Sequence, residues 1–184
     1  MRIISGFLKG KSIVPPASYK ARPTTDFARE ALFDVLDNEY EFEDLKVLDL
    51  FGGTGAISYE FVSRGAGHVW CVEMAPANAA FISNSTRQLG IADRLTVVRH
   101  NVFDFVPLCT EKFDIVFADP PYALEGLESL PDLVLNSGIL HPERYFILEH
   151  GAEHSFREHP LFVKEKRYGR VHFSFFETKN ELTS

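Results

Sequence analysis

The chain has 184 residues, of which 45% are hydrophobic and 24% are charged, and this composition predicts one folded globular domain. No apolar run approaches the ~20 residues of a membrane span, and the first residues lack a signal-peptide pattern, so we expect a cytoplasmic protein without a membrane partner. The two cysteines, Cys71 and Cys109, are too few for a disulfide framework and have no metal-ligand spacing.

The net charge of −7 is unevenly distributed along the chain. Residues 1–29 contain six basic side chains and one acidic one, which leaves 13 basic against 25 acidic side chains in the remainder. A basic segment on an acidic body is typical of a nucleic-acid-binding arm, although a solvated hairpin explains the same charges equally well. The candidate contacts to nucleic acid are Lys9, Lys11, Lys20, Arg22 and Arg29.

The first 20 residues predict a separate structural unit. Residues 2–4 and 12–14 are short strand candidates separated by glycines, a pattern that favours an N-terminal β-hairpin. We therefore expect a basic arm over residues 1–20 and a single compact domain over residues 21–184.

Beyond the arm, strand and helix patterns alternate, which predicts an α/β fold whose mostly parallel sheet is covered on both faces. The last two strands meet at Gly169 and are expected to form an antiparallel hairpin. The predicted strands cover residues 47–51, 68–73, 95–99, 113–118, 145–149, 163–168 and 171–178. The predicted helices cover residues 26–36, 56–64, 76–89 and 127–135.

A glycine-rich loop follows the strand at residues 47–51. Its pattern, Asp-x-Phe-x-Gly-x-Gly from Asp49 to Gly55, differs from the dinucleotide fingerprint because Ser58 stands where a third glycine would be needed. Glycines at such a turn let the backbone approach a ligand without a Cβ in the way. The pattern resembles the cofactor loop of S-adenosylmethionine-dependent methyltransferases.

Polar residues follow the next two strands at the edge where a doubly wound sheet binds its ligand. Glu73 lies 18 residues after Gly55, close to the spacing of an acid that accepts hydrogen bonds from ribose hydroxyls. Asn101 can pair with an adenine amino group, and the N–H of Val102 can reach a ring nitrogen. A surface acid at a strand end is the simpler alternative for Glu73, but the upstream loop favours a cofactor pocket.

The sequence Asp119-Pro120-Pro121-Tyr122 follows a strand that is nearly all apolar. The two prolines stiffen the loop and lack N–H groups, so a carboxylate, a carbonyl and an aromatic ring converge at one strand end. This set suits a planar amine, because Asp119 and the Pro120 carbonyl can accept its two hydrogens while Tyr122 stacks on the attached ring. A rigid turn with an Asp cap is the alternative that the glycine loop makes less favourable.

Other polar clusters are less specific. His150 and His154 have a spacing used by helical metal sites, but they lack a third clustered ligand, and we expect no metal. The last predicted hairpin carries a basic run that either extends a nucleic-acid surface or is a solvated strand face. This run comprises Lys164, Lys166, Arg167 and Arg170.

Several motifs occur together and in order, at residues 2–6, 9–11, 22–26, 29–33, 49–55, 63–66 and 119–122. This set resembles the RsmD family of bacterial 16S rRNA guanine-N2 methyltransferases, and the likeness extends from Arg2 to about Glu177. The glycine loop and the Asp-Pro-Pro-Tyr motif are common to many amino-methyltransferases, so the N-terminal motifs carry the specific likeness. Asn101 departs from the wider class, where many members have Asp.

The resemblance implies a Rossmann-like, seven-stranded methyltransferase fold with an antiparallel C-terminal hairpin and an N-terminal β-hairpin. It implies S-adenosylmethionine as the cofactor, and as the substrate a guanine N2 amine in a 16S rRNA hairpin near the P site. The partner would be the small ribosomal subunit or its 16S rRNA, the arm would contact RNA, and a monomer is expected.

The site residues that follow from the motifs and the resemblance form two sets. The catalytic set is Asp119, Pro120, Pro121 and Tyr122. The cofactor-binding set is Thr24, Thr25, Asp49, Phe51, Gly52, Gly53, Gly55, Glu73, Met74, Asn101 and Val102.

Three alternatives stay open at this stage. The Asp-Pro-Pro-Tyr chemistry serves any planar amine, including adenine N6 in DNA and a protein glutamine. An RNA-binding ribosome-assembly protein that has lost its activity belongs to a different functional class. A dinucleotide oxidoreductase is disfavoured by the missing third glycine.

Overall fold

The computed structural model describes residues 1–20 and 24–180. Seven strands and five helices are formed in this part of the chain. The strands are β1 (Lys46–Leu50), β2 (His68–Val72), β3 (Leu95–Val98), β4 (Phe113–Ala118), β5 (Leu140–His150), β6 (Phe162–Tyr168) and β7 (Val171–Glu177). The helices are α1 (Asp26–Asp37), α2 (Ala56–Ser63), α3 (Pro76–Gln88), α4 (Val102–Leu108) and α5 (Leu130–Leu135), with a 3₁₀ turn at Leu127–Ser129 before α5.

All seven strands form one sheet in the order β3-β2-β1-β4-β5-β7-β6. Strands β1 to β5 pair in parallel, whereas β7 is antiparallel to both β5 and β6. The central strands are apolar because both faces are covered, and hydrophobic clusters lie on the two sides of the sheet. The predicted seven-stranded α/β fold with an antiparallel C-terminal hairpin is confirmed.

Two elements differ from the sequence prediction. Helix α4 was not predicted, because it is short and contains Pro107, which is a poor helix former. Strand β5 begins five residues earlier than predicted, through a polar stretch with Pro142 and with Glu143 at φ 61°. Its register against β4 shifts between Phe113 and Ile115, which accommodates this irregular start.

The N-terminal arm is a loop closed by a single antiparallel bridge between Arg2 and Ser12, rather than a pair of full strands. It lies along α2. Met1 reaches Thr54 before the helix begins, at 3.6 Å from Sδ to Oγ1. The N–H of Phe7 donates to the carbonyl of Ser63, the last helical residue. The tip of the arm is therefore at the amino ends of the strands, on the far side from the glycine loop.

A buried carboxylate anchors the arm to the domain. Glu60 in α2 accepts hydrogen bonds from the N–H groups of Ile4 and Ser5, both at 3.0 Å. It also pairs with Arg64 at 3.0 Å and lies 3.9 Å from Arg29. Two cations and two backbone donors thus replace the water that Glu60 loses on burial.

The structure corrects the prediction that Arg29 contacts RNA. Its side chain is only 2% exposed, since α1 directs it inward toward Glu60. The guanidinium donates to the carbonyl of Arg2 at 2.6 Å and to Asp26 at 3.0 Å. Arg29 therefore joins the arm, α1 and α2.

Within the described residues, every helix is too short or too polar to cross a membrane.

Replacing Glu60 with Ala should destabilise the protein by about 3–5 kcal/mol, because Arg29 and Arg64 would lose their buried partner and the N–H groups of Ile4 and Ser5 would lose their acceptor. Chemical denaturation monitored by circular dichroism measures this change. The matched control is Asp37→Ala, which removes the half-exposed partner of Arg64 and should cost at most about 1 kcal/mol. Equal losses for the two variants would contradict the anchoring role of Glu60.

Candidate functional site

The carboxyl ends of the central strands form one edge of the sheet, and most predicted site residues lie there. The chain leaves β1 for β2 on one side and later returns to β4 on the other, so the direction of winding reverses between β1 and β4. Ligands of doubly wound folds bind in the crevice that opens at such a reversal. The loops after β1, β2, β3 and β4 all border this position.

The glycine loop after β1 has an unusual backbone. Phe51, Gly53 and Gly55 have φ values of 62°, 61° and 84°. A Cβ on Gly55 would come within 2.6 Å of the Tyr59 ring, so only glycine fits at the start of α2. Phe51 is a bulky residue in the left-handed region, a strained conformation that is typical of functional sites.

Glu73 ties this loop to the end of β2. One carboxylate oxygen accepts from the N–H of Gly53 at 2.7 Å, and the other accepts from the N–H of Ala75 at 2.9 Å. The carboxylate thus fixes the loop in place. Its side chain lies at the crevice, and each oxygen keeps a second acceptor position for a ligand hydroxyl.

Asp49 supports the loop from below. It is 1% exposed, and its Oδ2 accepts from the hydroxyl of Ser58 at 2.6 Å. Burial raises the pKa of Asp49 to about 8, with Asp119 and Glu73 adding to the shift and the Ser58 hydrogen bond opposing it. Because it is covered, Asp49 acts by holding α2 and the loop together, and we assign it no direct ligand contact.

Asn101, Val102 and Met74 lie at the ends of β2 and β3. The Oδ1 of Asn101 accepts from the N–H of Phe103 at 2.9 Å and thereby caps α4. Its Nδ2 lies 3.6 Å from the Met74 sulfur. The Met74 side chain is 62% exposed and forms an apolar surface beside the amide. Val102 is the first residue of α4, where N–H groups point out of the helix.

Asp119 directly follows β4 and belongs to a hydrogen-bonded group of three. The hydroxyl of Thr24 lies 3.2 Å from Asp119 Oδ2 and 2.9 Å from Glu149 Oε2. Glu149 lies near the end of β5, adjacent to β4, and is 3% exposed. Two carboxyl groups are therefore held side by side by one hydroxyl at the crevice.

Neither acid of this pair is hydrogen-bonded to a cation among the described residues. Burial raises the pKa of Asp119 to about 7, and the hydrogen bond from Thr24 lowers it. Burial also raises the pKa of Glu149 well above its ordinary value, and the charge of Asp119 adds to this shift. A proton held near neutrality at such a site is typical of functional carboxyl groups.

Tyr19 covers the glycine loop from the arm side. A Cβ on Gly53 would lie 2.8 Å from the Tyr19 hydroxyl, so the two groups are in close proximity. The pKa of Tyr19 is raised to about 12 by burial and by the charges of Asp119 and Glu73. The phenol thus stays protonated and can donate a hydrogen bond into the crevice.

The remaining predicted residues have different surroundings. Pro120 is buried, whereas Pro121 and Tyr122 are exposed, and the Tyr122 side chain is 53% exposed. Thr25 is the N-cap of α1 and accepts from the N–H of Ala28 at 3.1 Å, which gives it a structural role. Gly52 packs against Cys71 on β2.

The predicted nucleic-acid contacts are dispersed. Lys9, Lys11 and Lys20 are exposed, and Arg22 lies outside the described residues. Lys9 is at the tip of the arm, at the opposite edge of the sheet from Asp119. The structure therefore keeps Lys9 away from the crevice, whereas Lys20 directly follows Tyr19, which covers the glycine loop.

A comparison of almost the whole chain with known protein families identifies the family to which it belongs. The family model described as Conserved hypothetical protein 95 matches residues 1–177. The chain belongs to this family, the RsmD family. It is 31% identical to Ribosomal RNA small subunit methyltransferase D of Escherichia coli K12 over 180 residues, which cover 96% of this chain and 89% of that protein.

Solved structures agree with the fold. A hypothetical protein of Thermus thermophilus matches with a TM-score of 0.85 and 30% identity, covering 97% of this chain and 99% of the other. An RNA methyltransferase of Salinibacter ruber, solved with S-adenosyl-L-homocysteine, matches with a TM-score of 0.69 and 13% identity over 87% of this chain and 95% of that one. The methyltransferase fold is confirmed, and these findings support the predicted cofactor, S-adenosylmethionine.

Two site residues were missed in the sequence. Glu149 ends a predicted strand, as Glu73 does, so the rule that selected Glu73 applies equally to Glu149. Tyr19 lies in an irregular segment between prolines, and no local pattern distinguishes it. Only the path of the chain after the arm places its ring over Gly53.

Replacing Glu73 with Ala should weaken S-adenosylmethionine binding at least tenfold, since a carboxylate hydrogen bond is worth about 1.5–3 kcal/mol and the Gly53 loop would lose its support. Isothermal titration calorimetry measures the dissociation constant. The control is Asp93→Ala, which removes an exposed acid beyond α3 and should leave the affinity unchanged. An unchanged affinity for a folded Glu73→Ala variant would exclude Glu73 from the cofactor pocket.

Proposed function

We propose that this protein transfers a methyl group from S-adenosylmethionine to the N2 amine of a guanine in 16S rRNA. The observation that carries this proposal is the position of the Asp119–Tyr122 loop. It follows β4 directly, beside the glycine loop of β1, so an amine acceptor and a cofactor seat share one crevice.

The residues of the chain would act mainly by positioning the amine. Asp119 and the carbonyl of Pro120 accept its two hydrogens, and Tyr122 stacks on the base. The nitrogen lone pair then faces the crevice. When bound, the cofactor supplies an electrophilic methyl group on a sulfonium, so a C–N bond forms as the S–C bond breaks. Orientation of this kind can account for about 7–11 kcal/mol of the barrier.

The product nitrogen must lose one proton, and the carboxyl pair is placed to receive it. Asp119 contacts the amine in this arrangement, and Glu149 is linked to it through Thr24. A carboxylate whose pKa is about 7 can accept the proton and return it to solvent at neutral pH. Asp119 would therefore serve as both hydrogen-bond acceptor and proton acceptor.

The choice of rRNA rests on family membership. The name of the Escherichia coli relative gives ribosomal RNA of the small subunit as its substrate. We propose the same substrate class here, with the small subunit or its rRNA as the partner and a hairpin near the P site as the target. A loop nucleotide suits the site, because extruding a paired base costs a few kcal/mol.

Methylation of adenine N6 or of a protein glutamine uses the same carboxylate and carbonyl acceptors. A retained fold without activity is the other alternative, and the complete Asp119–Tyr122 loop argues against it. Incubating the protein with radiolabelled cofactor and either unmodified small subunits or DNA, then mapping the labelled nucleotide or amino acid, distinguishes these functions. Label in adenine or protein would refute the guanine assignment. The absence of label from all of these substrates would refute the proposed methyltransferase activity.

Replacing Asp119 with Ala should lower kcat by at least about 100-fold, because the amine loses its main orienting contact. Single-turnover methylation with saturating cofactor measures the effect, and calorimetry should show nearly unchanged cofactor affinity. Asp114→Asn, on the opposite end of the same strand, is the matched control and should keep near-normal turnover. Near-normal methylation by Asp119→Ala would refute the proposed role.

The rate should depend on pH with an apparent pKa of about 7. Only the ionised form of Asp119 can take up the proton that the product nitrogen loses, so kcat/KM should rise as the pH increases through this value. Thr24→Val removes the hydrogen bond that lowers the pKa of both acids. The rising limb should therefore move to higher pH in this variant, and a pH–rate profile that stays in place would contradict the assignment.

A further inference from the structure

We infer that the turn between β6 and β7, together with the first turn of α1, binds the RNA segments that flank the target nucleotide. This inference rests on the proposed function and names a substrate contact for it. The residues concerned are Phe27, Lys166, Arg167, Tyr168 and Arg170, which we call the lip. The sequence alone left this basic run undecided between a nucleic-acid surface and a solvated strand.

Strand topology places the lip at the reactive edge of the sheet. Since β7 is antiparallel to β5, it begins where β5 ends, and His172 pairs with His150. Tyr168 pairs with Val171 at the end of β6. The turn therefore projects beyond the carboxyl end of β5, next to the strand end that holds Glu149.

The first turn of α1 forms the other part of the lip and also lies next to the carboxyl pair. Thr24 is bound to Asp119 and Glu149, and Thr25 caps the helix. Phe27 lies in the first turn, and its ring meets the Tyr168 ring edge-on at 6.2 Å between centroids. Only two residues separate Phe27 from the hydroxyl that contacts the carboxyl pair.

The Phe27 ring is largely exposed to solvent and is available for stacking. It is 67% exposed, although Phe is among the residues most often buried. Its one described ring contact, with Tyr168, leaves a face open to solvent. An exposed aromatic face beside cations is the usual platform for an unstacked RNA base.

The charge of the turn fits a phosphate backbone. Residues 164–170 contain four basic side chains and one acidic one, against a net charge of −7 for the whole chain. The acid, Glu165, is covered and is held by Arg157, Arg167 and His172. Lys166, Arg167 and Arg170 are exposed. RNA is thus favoured over an acidic protein, because the lip combines phosphate-binding cations with a stacking surface.

The tip of the arm lies at the opposite edge of the sheet from the lip. It is at the amino ends of the strands, where Phe7 packs over Arg94 with the guanidinium 5.8 Å from the ring centroid. A nucleotide bound at Asp119 is nearer to the lip than to Lys9. We therefore assign the contacts closest to the methylated base to the lip.

The test compares methylation kinetics of unmodified small subunits by Phe27→Ala, Phe27→Trp and the double variant Lys166→Ala/Arg170→Ala. Phe27→Ala should raise KM about tenfold, in line with the loss of one stacked base, while Phe27→Trp retains near-normal KM. The double variant should raise KM, and it should flatten the salt dependence by about 1.4 in slope, as expected for two phosphates of a single strand. Saturated kcat and cofactor affinity should stay within about twofold of the parent in all three variants.

Two control variants accompany these measurements. Lys112→Ala removes an exposed cation at the amino end of β4 and should leave KM unchanged. The double variant Lys9→Ala/Lys11→Ala measures how much the arm contributes to KM and to its salt dependence. An arm variant that flattens the salt slope while the lip variants leave KM and slope unchanged would overturn the inference, as would a rise of KM in Phe27→Trp equal to that in Phe27→Ala.

Direct binding of a fluorescently labelled 16S rRNA hairpin, followed by anisotropy, separates this inference from the proposed function. RNA affinity that depends on the lip in a protein that methylates no RNA would refute the activity and support the lip. If the protein methylates RNA normally and the lip variants bind the hairpin as tightly as the parent does, RNA binding by the lip is refuted and the proposed activity stands.

Discussion

The removal of carboxyl groups from water at the reactive edge of the sheet is the constraint on which the site depends. Asp49, Asp119 and Glu149 lie within one residue of the carboxyl ends of three adjacent strands. Their hydrogen bonds come chiefly from the hydroxyls of Ser58 and Thr24. A hydroxyl donates a hydrogen bond to a carboxylate oxygen but does not neutralise its charge. The loss of water therefore has the larger effect on the pKa, and the protonated form of each acid is stabilised relative to the ionised form. The pKa values of Asp49 and Asp119 are thereby raised to about 8 and about 7, and that of Glu149 is raised well above its ordinary value.

Glu60 illustrates the opposite arrangement in the same molecule. It is as deeply buried as Asp49 and Glu149, but Arg29 and Arg64 approach it and two backbone N–H groups donate to it. That carboxylate contributes to structure, because breaking a compensated buried pair is costly. The difference between an anchoring acid and a reactive acid therefore lies in the partners and not in the burial.

Much of this architecture was predictable from sequence because periodicity and glycine placement act locally. The succession of strands and helices along the chain and the position of the glycine loop follow from buried apolar runs and from turns that only glycine tolerates. The long-range contacts were not predictable in this way. Arg29 is a basic residue in a basic segment, yet its side chain is buried against Glu60 and the carbonyl of Arg2, which are distant in sequence. Thr24 and Glu149 are 125 residues apart, and no local pattern relates them.

Asn101 has a role in the fold that its position in the sequence did not reveal. Its place after β3 suggested a ligand contact, and the same side chain also starts α4, a helix whose proline hid it from prediction. The structure shows that this amide caps α4 and lies beside Met74, and its contact with the cofactor stays a prediction. Residues at strand ends commonly have two such roles, since the loop must be capped before it can hold a ligand.

Tyr19 has a consequence for the order of events in a catalytic cycle. Its hydroxyl occupies the space directly outside Gly53, so a ligand that reaches this glycine must pass the ring or lie against it. Tyr19 belongs to the segment that leaves the arm, only five residues before Thr24 and the carboxyl pair. On the proposed function, a cofactor that enters or leaves beside Gly53 would have to pass the Tyr19 ring, so the last residues of the arm border the entrance of the cofactor pocket.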